Sequence, residues 1–242
     1  MNNQRKKRMK IFALGFAAGL LIFFAIYGFS VVNVQNDSFL INGYIEKDIA
    51  QHYRGWVLFR NSPWQFPLGV GQNLAYPYGT AVSYTDSIPL FAIFFKIFRS
   101  ILPQTFQYFG IFVMLCFGLQ GGFGALLVSL FAESRVFTTL SAGAFCLMPA
   151  LIERRFRHCG LTAQFLILRC LYFYFKNKGK TDFKALLPFF VINRLSITIH
   201  PYFLPFTFGI MFAFCLENFF FFSQFFFLPT YVLLYYEKKA LL

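Results

Sequence analysis

The sequence of 242 residues is 58% hydrophobic and 22% aromatic, with only 13% charged residues and a mean hydropathy of +0.58. These values exclude an ordinary soluble protein and predict an integral membrane protein, long enough for roughly six spans of about 20 residues and one sizeable loop. The net charge of +13 does not indicate a nucleic-acid partner, because the lysines and arginines lie in short clusters beside apolar runs, where they orient membrane spans.

The first predicted element is a membrane span. The stretch MNNQRKKRMK contains five basic residues, and residues 11–32 follow it without a charge. Positive charge before an apolar run predicts that the N-terminus stays in the cytoplasm. A cleaved signal peptide is the alternative, but the run is longer than the 7 to 15 residues of a signal core, and no A-x-A site follows it.

The expected fold class is all-α, a polytopic transmembrane helical bundle of about six spans in the cytoplasmic (inner) membrane. We divide the chain into a cytoplasmic basic N-terminus, a first transmembrane helix, a long extracytoplasmic loop with interfacial helices, and a transmembrane helical region with a phenylalanine-rich end. These parts are residues 1–10, 11–32, 33–108 and 109–242.

The loop contains a stretch rich in polar and aromatic residues, DIAQHYRGWVLFRNSPWQFP at 48–67. Asp48 and His52 share one face if this stretch is helical. A carboxylate at a membrane surface can act as a general base toward an acceptor hydroxyl or amine, so Asp48 is the candidate catalytic residue and His52 a candidate substrate ligand. A capping or salt-bridged surface acid is the alternative for Asp48. The aromatic residues of the stretch are expected at the level of the lipid headgroups, namely Tyr53, Trp56 and Phe59.

Asp86 lies just before the next apolar segment, residues 88–102, which contains Lys96 and Arg99. Fifteen residues with two charges are too few for a span, so we expect an interfacial amphipathic helix. Asp86 or Ser87 can cap this helix; alternatively, Asp86 is a second acid that binds substrate or metal.

The sequence predicts no cofactor. The five cysteines lack metal-ligand spacing and are expected to be packing residues. A divalent cation held by Asp48, His52 and Asp86 is the alternative, although no local spacing demands it.

The position of residues 88–102 fixes the topology of everything after them. If they stay outside, the lysine-rich loop at 176–184 lies in the cytoplasm, as the positive-inside rule requires; if they span, that loop falls outside. The expected crossing segments are residues 109–131, 136–151, 161–175, 185–199 and a further helix from about residue 204.

This topology collects all three histidines and a basic cluster on the outer face. The sequence ERRFRH at 153–158 supplies donors suited to phosphate, although anchoring to lipid headgroups is the alternative. Arg169 and Arg194 interrupt apolar segments and are expected to be functional. The candidate substrate-binding residues are His52, Asp86, Arg154, Arg155, Arg157, His158 and His200.

Six motifs resemble those of an uncharacterised family of bacterial membrane proteins that is itself similar to the GT-C superfold of polytopic glycosyltransferases. They are DIAQHYRGWVLFRNSPWQFPLG, NLAYPYGT, YTDSIPLFAIFFKIF, LQGGFGALL, RRFRHCGLTAQFLIL and HPYF, and they cover roughly residues 35–205. The resemblance implies transfer of a sugar from a polyprenyl-phosphate donor to an acceptor at the outer face. By this resemblance, Asp48 takes the base role, the cluster at 154–158 binds donor phosphate, and membrane lipid is the other partner.

Proteins of the GT-C superfold usually continue for several more spans, so the resemblance also implies that this chain, which ends at Leu242, is a truncated copy. Two alternatives to an active enzyme therefore follow. One is an inactive truncated copy, and the other is a non-catalytic multi-pass protein such as a transporter component or a lipid-binding scaffold.

Reporter fusions test the topology directly. Fusions after residues 70, 134, 156 and 180 are expected to report outside, inside, outside and inside, because residues 88–102 do not cross. The measurement is paired alkaline phosphatase and green fluorescent protein activity in whole cells. A reversal of the last two signals would contradict the predicted topology.

Overall fold

The computed structural model describes residues 3–41, 47–154 and 156–220 of the protein. Helices predominate in this part of the chain, which confirms the all-α class. In chain order they are α1 (Asn3–Tyr27), α2 (Ser38–Ile41), α3 (Lys47–Asn61), α4 (Pro89–Ile97), α5 (Phe109–Val128), α6 (Arg135–Cys146), α7 (Pro149–Arg154), α8 (Phe165–Asn177), α9 (Leu187–Ile199) and α10 (Phe203–Cys215), which continues into a π-helical turn at Leu216–Phe220. One short antiparallel pair, β1 (Val70–Gly71) and β2 (Thr80–Ala81), lies between α3 and α4.

Two of the described helices, α1 and α5, are long and apolar enough to cross a membrane. Most of α5 is buried inside the protein, whereas α1 exposes most of its apolar surface. Helices α8, α9 and α10 have 13 residues each, which gives a length of about 20 Å against the roughly 30 Å of a bilayer core. The expected segment 136–151 is divided between α6 and α7. By length and composition, two of the described helices are candidates for membrane spans, fewer than the expected six.

Backbone contact through glycines joins α1 to α5. A Cβ atom added at Gly15 would lie 2.5 Å from the carbonyl oxygen of Gly121, and one added at Gly19 would collide with the carbonyl of Phe117. Both helices carry GxxxG spacing, which lets helix backbones approach this closely. Larger side chains at these positions would push the two helices apart.

The segment that connects α1 to α5 is tied together at its two ends by Gln107. Its backbone N–H donates to the carbonyl of Val34 (2.8 Å), and its side-chain Nε2 donates to the carbonyls of Val31 (3.0 Å) and Asn33 (2.8 Å). Its Oε1 accepts from the backbone N–H of Gly110 (3.0 Å). The fully buried side-chain amide of Gln107 thus provides hydrogen-bond partners for two backbone carbonyls and one backbone N–H, which would be costly to bury without partners.

The aromatic residues of α3 are buried inside the protein, so their side chains do not face lipid, and their expected depth at headgroup level stays a prediction. Tyr53, Trp56 and Phe59 are at most 5% exposed and belong to the main hydrophobic core. The indole Nε1 of Trp56 donates to the carbonyl of Phe106 (2.9 Å), and the Tyr53 hydroxyl donates to Asp37 Oδ2 (3.0 Å). The connecting segment therefore packs on itself and on α5.

Basic residues connect the C-terminal end of α3 with the C-terminal end of α4 and the residues that follow it. Arg60 donates to the carbonyls of Arg99 (3.1 Å) and Leu102 (2.6 Å), and Arg99 donates to the carbonyl of Ser62 (2.9 Å). Lys96 is fully buried, with its Nζ 3.9 Å from the centre of the Phe59 ring. Helix α4, about 14 Å long, is thus held to α3 by its basic residues and is too short to span a bilayer.

A pair of alanine substitutions tests the α1–α5 contact. Gly15→Ala is expected to lower the free energy of unfolding by about 1–3 kcal/mol, because the added methyl meets a backbone carbonyl that cannot rotate away. Thermal unfolding of the detergent-purified protein, followed by size-exclusion chromatography, is the measurement.

The matched control is Gly209→Ala in α10, where nothing lies within 4 Å of the added Cβ. This variant is expected to be neutral or slightly stabilising, because alanine favours helix over glycine. Equal stability of the two variants would contradict the importance of the α1–α5 contact.

Candidate functional site

Helix α3 presents the first two residues of the candidate site. Asp48 and His52 are one turn apart, as the sequence predicts for a helical stretch. Gly55 lies on the same helix where it meets the segment before α4, and a Cβ at this position would lie 2.7 Å from Ser87 Oγ and even closer to the Thr85 side chain. Glycine therefore allows α3 to approach the residues that flank Asp86.

The backbone around Asp86 is strained and held in place. Asp86 and Ile88 both have φ of 52°, a left-handed conformation that costs a residue with a side chain about 1–3 kcal/mol. Between them, the Ser87 hydroxyl donates to the carbonyl of His52 (2.6 Å), and the Ser87 carbonyl accepts from the Tyr108 hydroxyl. The alternative that Asp86 or Ser87 caps α4 is wrong, because Ile88 is the N-cap and no side chain bonds there.

The carboxylate of Asp86 is the centre of the site, because all three histidines surround it. Its Oδ2 lies 3.5 Å from His52 Nε2 and 3.3 Å from His158 Nδ1, and its Oδ1 lies 3.0 Å from His200 Nε2. His158 follows α7, and His200 ends α9. The cluster therefore joins the segment between α1 and α5 to the later helices.

The orientation of His200 is set by the backbone. Its Nδ1 accepts a hydrogen bond from the N–H of Tyr202 (3.3 Å), so in the neutral ring Nε2 carries the proton. That proton points to Asp86 Oδ1. His200 thus acts as a fixed donor to one oxygen of the carboxylate and leaves the other oxygen to His52 and His158.

Asp48 occupies the exposed side of the cluster. Its Oδ2 lies 3.5 Å from His158 Nε2, so His158 lies between the two carboxylates. The side chain of Asp48 is 54% exposed and that of His158 is 34% exposed, whereas that of His52 is only 3% exposed. The site is therefore closed on the His52 side and open to a ligand beside Asp48.

Burial and charge act in opposite directions on the two central groups. Burial lowers the pKa of His52 to about 4, although the Asp86 carboxylate opposes this shift. Burial also acts to raise the pKa of Asp86, but the hydrogen bond and charge of His200 and the charge of His52 outweigh it and lower the pKa to about 2. At neutral pH, Asp86 is therefore ionised and His52 is neutral.

The structure brings together five of the residues selected from the sequence, namely Asp48, His52, Asp86, His158 and His200. Arg154 and Arg157 are exposed, and Arg157 Nη1 lies 3.3 Å from Glu153 Oε2. Arg155 lies outside the described residues. The potential metal ligands that come close together are His52, Asp86 and His158, and Asp48 contacts His158 from the outer side.

Three further residues shape the site and were not predicted from the sequence to do so, namely Gly55, Ser87 and Tyr108. Their roles depend on contacts between segments far apart in the chain, such as the hydrogen bond from Ser87 to the carbonyl of His52. The sequence YTDS at 84–87 carried one signal, a polar cluster before an apolar helix, but nothing indicated a left-handed Asp86.

Comparison with known proteins identifies one family. Residues 16–233 match the model of a family described as a domain of unknown function, DUF6311. No curated protein and no solved structure matches the chain.

Burial of neutral His52 predicts a loss of stability in acid. The unfolded chain binds a proton near the ordinary pKa of 6.5 and the folded chain only near 4, so stability is fully present above pH 6.5 and falls as the pH drops through this window. The free energy of unfolding is expected to fall by about 2 kcal/mol between pH 7 and pH 5 through His52 alone. Thermal unfolding at both pH values measures it.

The comparison variant for this experiment is His52→Gln, which removes the titrating ring. The groups that face His52 are Asp86, Asp48, His158 and His200, and all of them remain in the variant. The variant should show a smaller loss of stability than the wild type between pH 7 and pH 5. An equal loss in both proteins would contradict the assignment to His52.

Proposed function

We propose a function for this chain, which belongs to the DUF6311 family, on the basis of the geometry of its site. The proposed function is that of a membrane-embedded glycosyltransferase, which transfers a sugar from a polyprenyl-phosphate donor at the extracytoplasmic face. The observation that carries the proposal is the half-exposed Asp48 carboxylate, whose Oδ2 lies 3.5 Å from His158 Nε2, a residue that follows the exposed Arg154 and Arg157 in the chain. The resemblance to GT-C glycosyltransferases implies the same assignment of roles.

Asp48 has the placement that a general base needs. It is the more exposed of the two carboxylates in the cluster, so an acceptor can approach it, and its Oδ2 lies 3.5 Å from His158 Nε2. Asp86 is unsuitable for this role, because its pKa of about 2 makes it a weak base and His200 occupies one of its oxygens.

The proposed reaction is a single displacement at the anomeric carbon of the donor sugar. The acceptor O–H gives its proton to Asp48 while its oxygen bonds to the anomeric carbon, and the bond from that carbon to the phosphate oxygen breaks. The leaving phosphate carries negative charge, which arginine forks bind well. Arg154 and Arg157 are exposed and lie within four residues of His158 in the chain, and we propose that they receive the phosphate together with Arg155.

A lipid-linked substrate requires contact with the membrane, and the surface of the protein fits that requirement. Large apolar side chains are exposed on several helices, including Leu21 (71%) on α1, Leu140 (67%) on α6 and Phe206 (61%) on α10. Extended exposed apolar surface marks a membrane or partner interface. We propose that α1 and α5 are accompanied in the cytoplasmic membrane by the shorter helices, as a six-span bundle with a cytoplasmic N-terminus.

A lipid-binding scaffold without catalysis is the second candidate. Arg194 is exposed on α9 between the exposed apolar residues Val191 and Ile197, a position from which it could bind a lipid phosphate. This function requires Arg194 and is independent of Asp48, so substitution of these two residues separates the candidates.

The test of the proposed reaction is Asp48→Asn, which keeps the size of the side chain and removes the base. Purified protein in liposomes is incubated with a panel of polyprenyl-phosphate sugars, and transfer to added acceptors is measured by mass spectrometry. The expected loss is about 10²–10⁴-fold in rate, the usual contribution of a general base.

The matched control is Glu133→Gln, an exposed carboxylate in the turn between α5 and α6. It should transfer sugar at the wild-type rate. Undiminished transfer by Asp48→Asn would remove Asp48 from the mechanism. The scaffold would be favoured by two results together, namely no sugar transfer by the wild type and loss of lipid binding in Arg194→Gln.

A further inference from the structure

Three atoms of metal-binding types converge within the candidate site. His52 Nε2 and His158 Nδ1 both face the same oxygen, Oδ2 of Asp86, at 3.5 and 3.3 Å. His52, Asp86 and His158 each offer one ligand atom within 4.8 Å of the other two. The three residues come from α3, the segment before α4 and the segment after α7, so the fold itself brings them together.

The separations from Asp86 Oδ2 lie at the long end of hydrogen bonding, at 3.3 Å for His158 and 3.5 Å for His52, and they also suit a shared metal ion. Good N–H···O bonds lie at about 2.7–3.2 Å. Two ligand atoms bound to zinc at about 2.0–2.2 Å in tetrahedral geometry are about 3.3–3.5 Å apart. One nitrogen from each ring lies within 4.8 Å of the other, and the His158 side chain is 34% exposed.

The buried side of the cluster also contains a polar atom that the protein does not satisfy. His52 is 2% exposed, and its Nδ1 has no hydrogen-bond partner among the described residues. A buried imidazole nitrogen without a partner is costly. The nitrogen of this ring that faces a possible metal ligand is Nε2, which lies 3.5 Å from Asp86 Oδ2.

Two further residues hold the ligands from behind. His200 donates to Asp86 Oδ1 at 3.0 Å and so directs Oδ2 toward His52 and His158. Asp48 Oδ2 lies 3.5 Å from His158 Nε2, the nitrogen opposite the one that faces Asp86. A carboxylate behind a histidine ligand is a recurring arrangement in metal sites, where it fixes the ring and raises its basicity.

We propose that His52 Nε2, His158 Nδ1 and Asp86 Oδ2 bind one divalent transition-metal ion, with zinc the best match. Two imidazoles and one carboxylate form the kind of three-ligand set that catalytic zinc sites use, with a fourth position left for water or a substrate oxygen. Magnesium and calcium prefer sites made of oxygen alone. The proposal goes beyond sugar transfer and does not depend on it.

The experiment is direct metal binding by the full-length protein in detergent. Protein stripped with a chelator is titrated with Zn²⁺ against a chromophoric competitor, and in parallel with Co²⁺ while the visible absorption is recorded. One equivalent of Zn²⁺ should bind, and Co²⁺ should give the strong visible absorption of a four-coordinate site. Magnesium at the same concentration should not compete.

Variants separate the roles within the cluster. His52→Ala and His158→Ala should abolish stoichiometric Zn²⁺ binding, and the supporting substitutions Asp48→Asn and His200→Ala should weaken it about 10–100-fold. The control Glu133→Gln should bind as the wild type does. Size-exclusion profiles confirm that each variant is folded.

Two results would overturn the proposal. One is Zn²⁺ binding to His52→Ala and His158→Ala with wild-type affinity. The other is the weak visible absorption of octahedral Co²⁺ in the wild type, a measurement that tests the site even if a variant does not fold. Because no sugar is present in either titration, failure to bind metal and failure to transfer sugar are separate outcomes.

Discussion

Direct contact between the backbones of α1 and α5 determines where the rest of the protein can lie. The glycines at this contact bring the two helices together along much of their length. Helices α6 and α8 also pack against α5. At one end of the pair, Gln107 joins the residues that leave α1 to those that enter α5. The segment between the helices therefore starts and ends at one point, beside which the candidate site forms.

The site depends on a carboxylate that needs partners from elsewhere in the chain. Asp86 is partly buried, and the imidazoles that surround it come from α3 and from the segments after α7 and α9. The left-handed backbone at Asp86 and Ile88 is maintained by the buried bonds of Ser87. Strained backbone held in this way is typical of functional sites, because the surrounding structure stabilises a side-chain position that the local sequence disfavours.

Much of the helical architecture could be predicted from hydrophobic patterning. The apolar runs at 11–32 and 109–131 correspond to α1 and α5, and Asp48 and His52 lie one turn apart on a helix, the condition under which they were expected to share a face. Local patterns gave less information about the later helices, because Pro149 begins a new helix inside one expected segment. The six-span arrangement stays a prediction.

The sequence was less informative about the segment between α1 and α5. Its aromatic residues were assigned to headgroups because their composition suits an interface, yet Trp56 and Phe59 are buried in the core. Lys96 and Arg99 were recognised as incompatible with a span, but their partners are ring faces and carbonyls of α3 and the residues just after it. The grouping of the histidines on one face followed from topology, whereas their common partner, Asp86, required three-dimensional contacts.

The separations along the chain within the Asp86 cluster have a consequence for biosynthesis. His158 and His200 are 72 and 114 residues away from Asp86, so the last histidine emerges from the ribosome long after the carboxylate. Until then, Asp86 must remain hydrated or find a temporary partner, because an isolated buried charge is strongly disfavoured. The cluster therefore closes only after the chain as far as His200 has been made, and its contacts join α3 to the residues that follow α7 and α9.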